Sequence, residues 1–205
     1  MTVRRQQEIM DAALKVFAKK GFNGATTKEI AAEAGIAEGT IFRYFKTKKD
    51  ILLNLVGNHV VKTLAETFDE VSGESDENVL KAIIKNRLQT AEDNKDLIRL
   101  LFTEAQFHPE IRQQFTENIV VKAAGLLEQY ISDRIQKGEY RDFDPKIAAR
   151  SFAGMAGVFV IWKEFLFGDR IIAFDQNTVI ETVVDIFLHG IKKRRSEEED
   201  NYGGN

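Results

Sequence analysis

The chain has 205 residues, 43% of them hydrophobic, and 29 Lys and Arg against 32 Asp and Glu give a formal net charge of −3. That is enough apolar material for one sizeable core, or for a small module joined to a larger one. Cysteine is absent, which excludes disulfides, thiol redox sensing and cysteine-ligated zinc together and fits a reducing cytoplasm.

The charge is unevenly placed. The first fifty residues hold ten basic and six acidic side chains, a surplus of four, which leaves −7 for the remainder. A basic head on an acidic body suits phosphate binding by the head alone. The N-terminus has two arginines but no apolar signal core, and the longest apolar run, 152–167, is interrupted by Lys163 and Glu164. It falls short of the ~20 residues of a membrane span and reads as a buried helix, so a cytoplasmic protein with no membrane contact is expected.

In chain order, Ile9, Ala12, Ala13, Val16 and Phe17 recur at helical spacing, and Gly21 stops that helix with Phe22 placed to pack back on Phe17. Thr26 and Glu29 stand as a capping box, so a second helix is expected from about Thr27 to Gly35, with Ile30, Ala31 and Ala34 on one face. Gly35 supplies a left-handed exit. A third helix, from about Ala37 to Phe45, turns Ile41 and Phe45 inward and leaves Thr40, Arg43, Tyr44 and Lys46 on or near the outer side. Thr47 and Asp50 then cap the next helix in the same way. The expected core of this head is Ile9, Ala13, Phe17, Ile30, Ala34, Ile41 and Phe45.

A fourth helix runs from Lys48 past Leu64 and Phe68 to a break at Ser72-Gly73, connecting head to body. A fifth, capped by Ser75 or Asp76, ends near Asn94. A sixth stops at Phe107, because His108 precedes Pro109 and is biased away from helical angles. The seventh reads as one long helix from Pro109 to Lys137. Asp144-Pro145 opens an eighth, reaching about Phe167, whose apolar, small-residue stretch implies burial on two sides. A ninth starts near Asp175, with Phe174 and Val179 spaced as a hydrophobic staple and two adjacent apolar stripes. Lys192, Lys193, Arg194 and Arg195 favour its end, and the acidic residues 196–205 read as a solvated tail. No strand pattern or internal repeat is found.

Helix, glycine turn and a second helix with a polar, basic outer face form the helix-turn-helix pattern, whose second helix enters the major groove. The stretch TTKEIAAEAGIAEGTIFRYFKTKKDIL also resembles the signature of the TetR family of bacterial transcriptional regulators. The resemblance covers roughly the first quarter of the chain at motif level. It implies an all-α fold of about nine helices: a helix-turn-helix DNA-binding domain at 1–47, a helical effector-binding and dimerisation domain at 48–195, and the tail. It further implies a homodimeric repressor on a pseudo-palindromic operator, released by a small effector. An activator, or a regulator controlled by a protein partner, is the alternative within DNA binding.

By that resemblance Thr27, Thr40, Tyr44 and Lys48 match phosphate contacts, while Glu38, Gly39 and Arg43 face bases; Lys28 and Lys46 join them as basic neighbours. Physics supports part of this: first-turn N–H groups favour phosphate at Thr27 and Lys48, and Arg43 is the best candidate for bidentate guanine contact. Ala37 supplies no side-chain cap, and Phe42, where tyrosine is common, cannot donate to a phosphate. Phe102, Phe115 and Trp162 are either ordinary core or the border of an apolar ligand site between the fourth and eighth helices. Phe152, Met155, Phe159, Val183 and Phe187 are the expected dimer contacts, since the last two helices carry apolar faces that need a partner. Glu104/His108 and Asp185/His189 could chelate a metal but read better as surface pairs, so neither metal nor cofactor is expected. A helical-bundle metal enzyme, the rival from another class, is disfavoured by the missing ExxH spacing. Nucleophile elbow, P-loop and GxGxxG are all missing, and no catalysis is expected.

Overall fold

A computed structural model describes residues 2–191, apart from the side chains at 2, 3, 56, 97, 100, 104 and 191. The acidic tail, the basic run before it and the Glu104 half of the Glu104/His108 pair therefore lie outside the described residues. The elements are α1 Thr2–Gly24, α2 Thr27–Glu33, α3 Glu38–Ile41, α4 Lys48–Glu70, α5 Asp76–Asp93, α6 Lys95–Phe107, α7 Pro109–Phe115, α8 Val121–Gln136, α9 Pro145–Glu164 and α10 Gln176–Ile191. A π turn, Thr116–Val120, joins α7 to α8 without a break, so the three make the one long helix read from the sequence. Among the described residues there is no strand, and the chain is all-α with a helix-turn-helix at its N-terminal end.

The helices begin where local chemistry says they should. Glu29 N–H donates to Thr26 Oγ1 at 3.2 Å and Thr26 N–H to Glu29 Oε2 at 3.0 Å, closing the first capping box. Asp50 N–H donates to Thr47 Oγ1 at 3.1 Å and Thr47 N–H to Asp50 Oδ2 at 2.9 Å, closing the second. Asp144 accepts from Lys146 N–H at 2.8 Å ahead of Pro145, and Asp175 accepts from Thr178 N–H at 2.8 Å. Each such cap is worth about 1 kcal/mol. Gly21 breaks α1 at φ +69°, and the Phe17 and Phe22 rings meet with centroids 5.5 Å apart. Ahead of α10, Phe174 lies edge-on to Phe159, at 5.4 Å, and near Trp162, at 6.3 Å.

Contacts divide the chain into two compact units. The first contains everything described up to Thr67 together with Gln89–Ala123; the second contains Phe68–Leu88 and the described residues from Ala124 onward. Two cores fill the first unit. Ile9, Ala13, Val16, Ala25, Ile30, Ile41, Phe45 and Ile51 hold the helix-turn-helix, with Phe17 and Ala34 half-buried against them. Leu52, Leu53, Leu101, Ala105, Ile111 and Ile119 form the other, on α4, α6, α7 and the π turn. Gly57 lies close against the π turn there, and a Cβ on it would stand 3.1 Å from Ile119 Cγ1.

The second unit is built on α5, α8, α9 and α10. Phe152 of α9 packs on Phe187 of α10 with centroids 4.8 Å apart, while Leu80, Ile84, Ile131 and Val184 are fully buried. Asp76, at the start of α5, accepts from Tyr130 Oη at 2.7 Å and pairs with Arg134 at 2.6 Å, which also pairs with Glu139 at 2.7 Å. Burial, with Asp76 beside it, pushes the Tyr130 phenol up to about 12. No helix among the described residues is long and apolar enough to cross a membrane.

Candidate nucleic-acid interface

The interface is assembled from two short helices. After α2, Gly35 at φ +66° makes the turn, and Ile36 N–H donates to Ala31 O at 3.0 Å, the six-to-one bond of a Schellman ending. Ala37 is extended and gives no side-chain cap. The second helix is shorter than its expected span: α3 proper is 4 residues, and 42–45 continue as a turn in which Arg43 N–H donates to Thr40 O and Tyr44 N–H to Ile41 O. Without a side-chain cap, and with aromatic Phe42 following β-branched Thr40 and Ile41, nothing local favours a longer regular helix. The inner and outer assignments are as expected, with Ile41 and Phe45 buried and Arg43 and Lys46 exposed.

Gly39 is exposed with open space where a Cβ would stand, and Thr40 and Tyr44 are half-buried. Among the described residues, the side chains of Lys28, Arg43 and Lys46 have neither a hydrogen bond nor an ion pair. They are free to meet a polyanion. A guanidinium so placed can bond guanine O6 and N7 together, while the ammonium groups suit phosphates. Phe42, 50% exposed, adds only apolar surface.

Thr27 and Lys48 are engaged inside the protein. Thr27 Oγ1 donates to Glu38 Oε1 at 2.6 Å, tying the start of α2 to the start of α3 and fixing a half-buried carboxylate. Lys48 Nζ donates to Phe22 O and Ala25 O, both at 2.7 Å, and lies 4.4 Å from the centroid of the Phe22 ring. Burial pulls its ammonium below the usual lysine range. Around this frame, Lys20 reaches Glu29 at 2.6 Å and Lys15 reaches Glu33 at 3.1 Å, fastening α1 to α2. The Lys20 ammonium, and after it Thr26, holds the Glu29 carboxyl below its ordinary 4.5.

The remaining sequence candidates are dispersed. Phe102 and Phe115 meet edge-on at 5.3 Å beside the second core of the first unit. Trp162 belongs to the second unit, where it donates from Nε1 to Ile172 O at 3.0 Å and covers Gly168. Phe152, Val183 and Phe187 are buried within the chain, Phe159 is half-buried against Phe174, and Met155 lines a groove with Ile147, Ser151, Ile186 and Gly190. Among the described residues, the large apolar side chains exposed on α9 and α10 are Ile147, Val158, Ile161 and Ile186. Asp185 and His189 form a surface pair at 2.9 Å.

A compact three-helix head with a glycine turn and a free arginine just past its outer helix defines a helix-turn-helix DNA-binding protein. Residues 9–55 match the family described as bacterial regulatory proteins, tetR family, and residues 78–190 match the C-terminal domain of AefR-like transcriptional repressors. The chain belongs to the TetR family of bacterial transcriptional regulators. It is 29% identical over 185 residues to the uncharacterized HTH-type transcriptional regulator YvkB of Bacillus subtilis, spanning 90% of this chain and 96% of that one. It is 25% identical over 193 residues to the fatty acid metabolism regulator protein of Bacillus subtilis, spanning 93% and 97%. Among solved structures it is similar to the transcriptional regulator FadR of Bacillus subtilis in complex with stearoyl-CoA, with a TM-score of 0.64 and 25% identity over 90% of this chain and 98% of that one.

Proposed function

We propose that this regulator is a homodimeric repressor that binds a pseudo-palindromic operator and releases it when a long fatty acyl ligand, such as an acyl-CoA, occupies the body. The observation that carries the DNA-contact assignment is the free Arg43 side chain in the turn that continues α3, with Lys28 and Lys46 also exposed. Gly39, Thr40, Tyr44 and Glu38 complete the contact surface in this reading. One head touches too few base edges to be selective alone, so a second copy supplies the other half-site.

For the ligand, support comes from the similarity to a regulator solved with stearoyl-CoA and from apolar surface in the first unit. We place the acyl chain against Phe102 and Phe115, next to Leu52 and Leu53 of α4, the helix that begins at the head. Trp162 is kept as a reporter. A ligand moves the heads only by preferring one of two arrangements of such an element, and a coupling of about 1–3 kcal/mol would change operator affinity about 5–150-fold. Stearoyl-CoA, free stearate and CoA should be titrated against fluorescence anisotropy of a bound duplex. Release by the first or second supports the reading, and binding of either without any change in DNA affinity overturns it.

A further inference from the structure

We propose that Glu38 reads the exocyclic amino group of a cytosine in each half-site, with Thr27 as the positioning residue that holds its carboxylate for that contact; this rests on the DNA-contact surface proposed for the head. Glu38 is the first residue of α3, and in a helix-turn-helix the first turn of the second helix meets base edges. Gly39 follows with open space where a Cβ would stand, so a base edge can come close to this turn. Glu38 is half-buried, and Thr27 Oγ1, at the start of α2, donates to its Oε1 at 2.6 Å. Left to itself a glutamate side chain samples many rotamers. One short charge-assisted bond from the neighbouring helix narrows that choice before any base arrives. It is the one hydrogen bond this carboxylate makes among the described residues, so Oε2 is uncommitted.

The charge itself calls for a reason. The side chains of Lys28, Arg43 and Lys46 are unpaired on the same head, yet none of them reaches Glu38. The start of a helix favours an acidic residue, but α3 is only 4 residues long and supplies little dipole. An anion left unneutralised on a surface that meets a polyanion weakens binding to every sequence, unless a contact that only some sequences supply offsets it. The major groove offers few such contacts. Guanine shows two acceptors there, thymine an acceptor and a methyl group, and neither base can donate to a carboxylate. Adenine sets its amino group beside the N7 acceptor, which repels a second oxygen. Cytosine presents its N4 amino group with no acceptor of its own beside it. With Oε1 held by Thr27, one acceptor is left for that one donor.

The test selects duplexes from a random library on the wild type and on Glu38→Ala. At the position where the two selections differ, the affinities of duplexes carrying each of the four bases are then measured. The wild type should select cytosine there and bind it on the order of tenfold tighter than the alternatives. Glu38→Ala should lose this ratio because its affinity for the mismatched duplexes rises, a gain that removing a merely structural side chain would not give. Thr27→Val should lower the ratio in the wild-type background and leave it unchanged in Glu38→Ala, while Thr27→Ser, which keeps the hydroxyl, should restore it. Should Thr27→Val not fold, Thr27→Ala removes the hydroxyl with a smaller change. Selection of another base at that position, or selections that do not differ, overturns the inference and leaves the DNA-contact surface standing. So does a ratio that Thr27→Val does not lower, that it lowers equally in both backgrounds, or that Thr27→Ser fails to restore. A wild type that selects no duplex overturns the surface and the inference together.

Discussion

Arg43 and Lys46 differ by three positions in the chain and by kind in what each can do. A guanidinium that bonds two acceptors of one base discriminates, whereas an ammonium against a phosphate attracts every sequence equally. Arg43→Ala is therefore expected to relax preference at one base position in each half-site, at a cost of about 1–3 kcal/mol for the preferred site. Lys46→Ala is expected to weaken binding to all duplexes and to reduce the salt slope by about 0.9. Selection from random duplexes, followed by titrations at several salt concentrations, separates the two. Acid dependence is also set residue by residue. Glu29 has its folded value held below the ordinary 4.5 by Lys20, so its contribution is complete above that pH and is lost as pH falls through the lowered value. Thermal unfolding followed from pH 7 to pH 3 should show a steeper decline below about 4.5 for wild type than for Glu29→Gln. Equal slopes would remove Glu29 from the acid response.

At the scale of elements, two glycines lie close against neighbouring side chains, and only one of them has no room for a Cβ. A Cβ on Gly168 would fall 2.1 Å from the Trp162 ring, and the preceding Phe167 is left-handed at φ +51°. Gly168→Ala should expel Trp162 from this seat, breaking its bond to Ile172 O, and red-shift tryptophan emission in the folded protein; unchanged emission would place the ring elsewhere. Gly57 meets the π turn less tightly. There alanine gains about 1 kcal/mol in helix preference, which offsets the shift demanded of Ile119, so Gly57→Ala should be near neutral. Gly57→Leu should destabilise by about 1–3 kcal/mol in urea titrations, through overpacking.

These elements also mark how far the sequence could be read. Both capping boxes, the Gly35 turn, the Phe17–Phe22 contact and the Asp144-Pro145 start were legible, because each is decided within a few residues by a hydrogen-bonding pattern or a forbidden dihedral. The contacts of Phe174 with the rings of Phe159 and Trp162 were not, because they join residues 12 to 15 apart in the chain. The π turn left no local signal, and what it lies against is α4 at Gly57, about sixty residues earlier in the chain. Among the DNA-contact candidates the outward positions of Arg43 and Lys46 followed from helical spacing. The partners of Thr27 and Lys48 did not, because the distances that define them run between elements 11 to 26 residues apart.

For the molecule as a whole, the dimer proposed above needs a surface for a second copy to cover, and burial narrows the choice. The two apolar stripes on α10 are both used within the chain: Val179, Ile180, Val183, Val184 and Phe187 are all buried. Ile186 alone of that helix's large described apolar residues stands out, 57% exposed, and it shares a groove with Ile147, Ser151 and Met155 of α9. A two-fold interface here would cover the same groove on both copies at once, removing apolar surface that a monomer would leave in water. The choice of residue then decides what a charge reports. An arginine in place of Val183, 4% exposed, would force a buried charge into the protomer and unfold it, so its failure to dimerise would carry no information about the interface. Ile186→Arg puts the charge outside, and is expected to give a folded monomer with wild-type helicity by circular dichroism. Light scattering at micromolar concentration should show the wild type at twice the mass of that variant, and duplex affinity should drop in the variant because its two half-sites are then bound independently. A monomeric wild type, or an Ile186→Arg protein that remains dimeric, would move the interface away from this face.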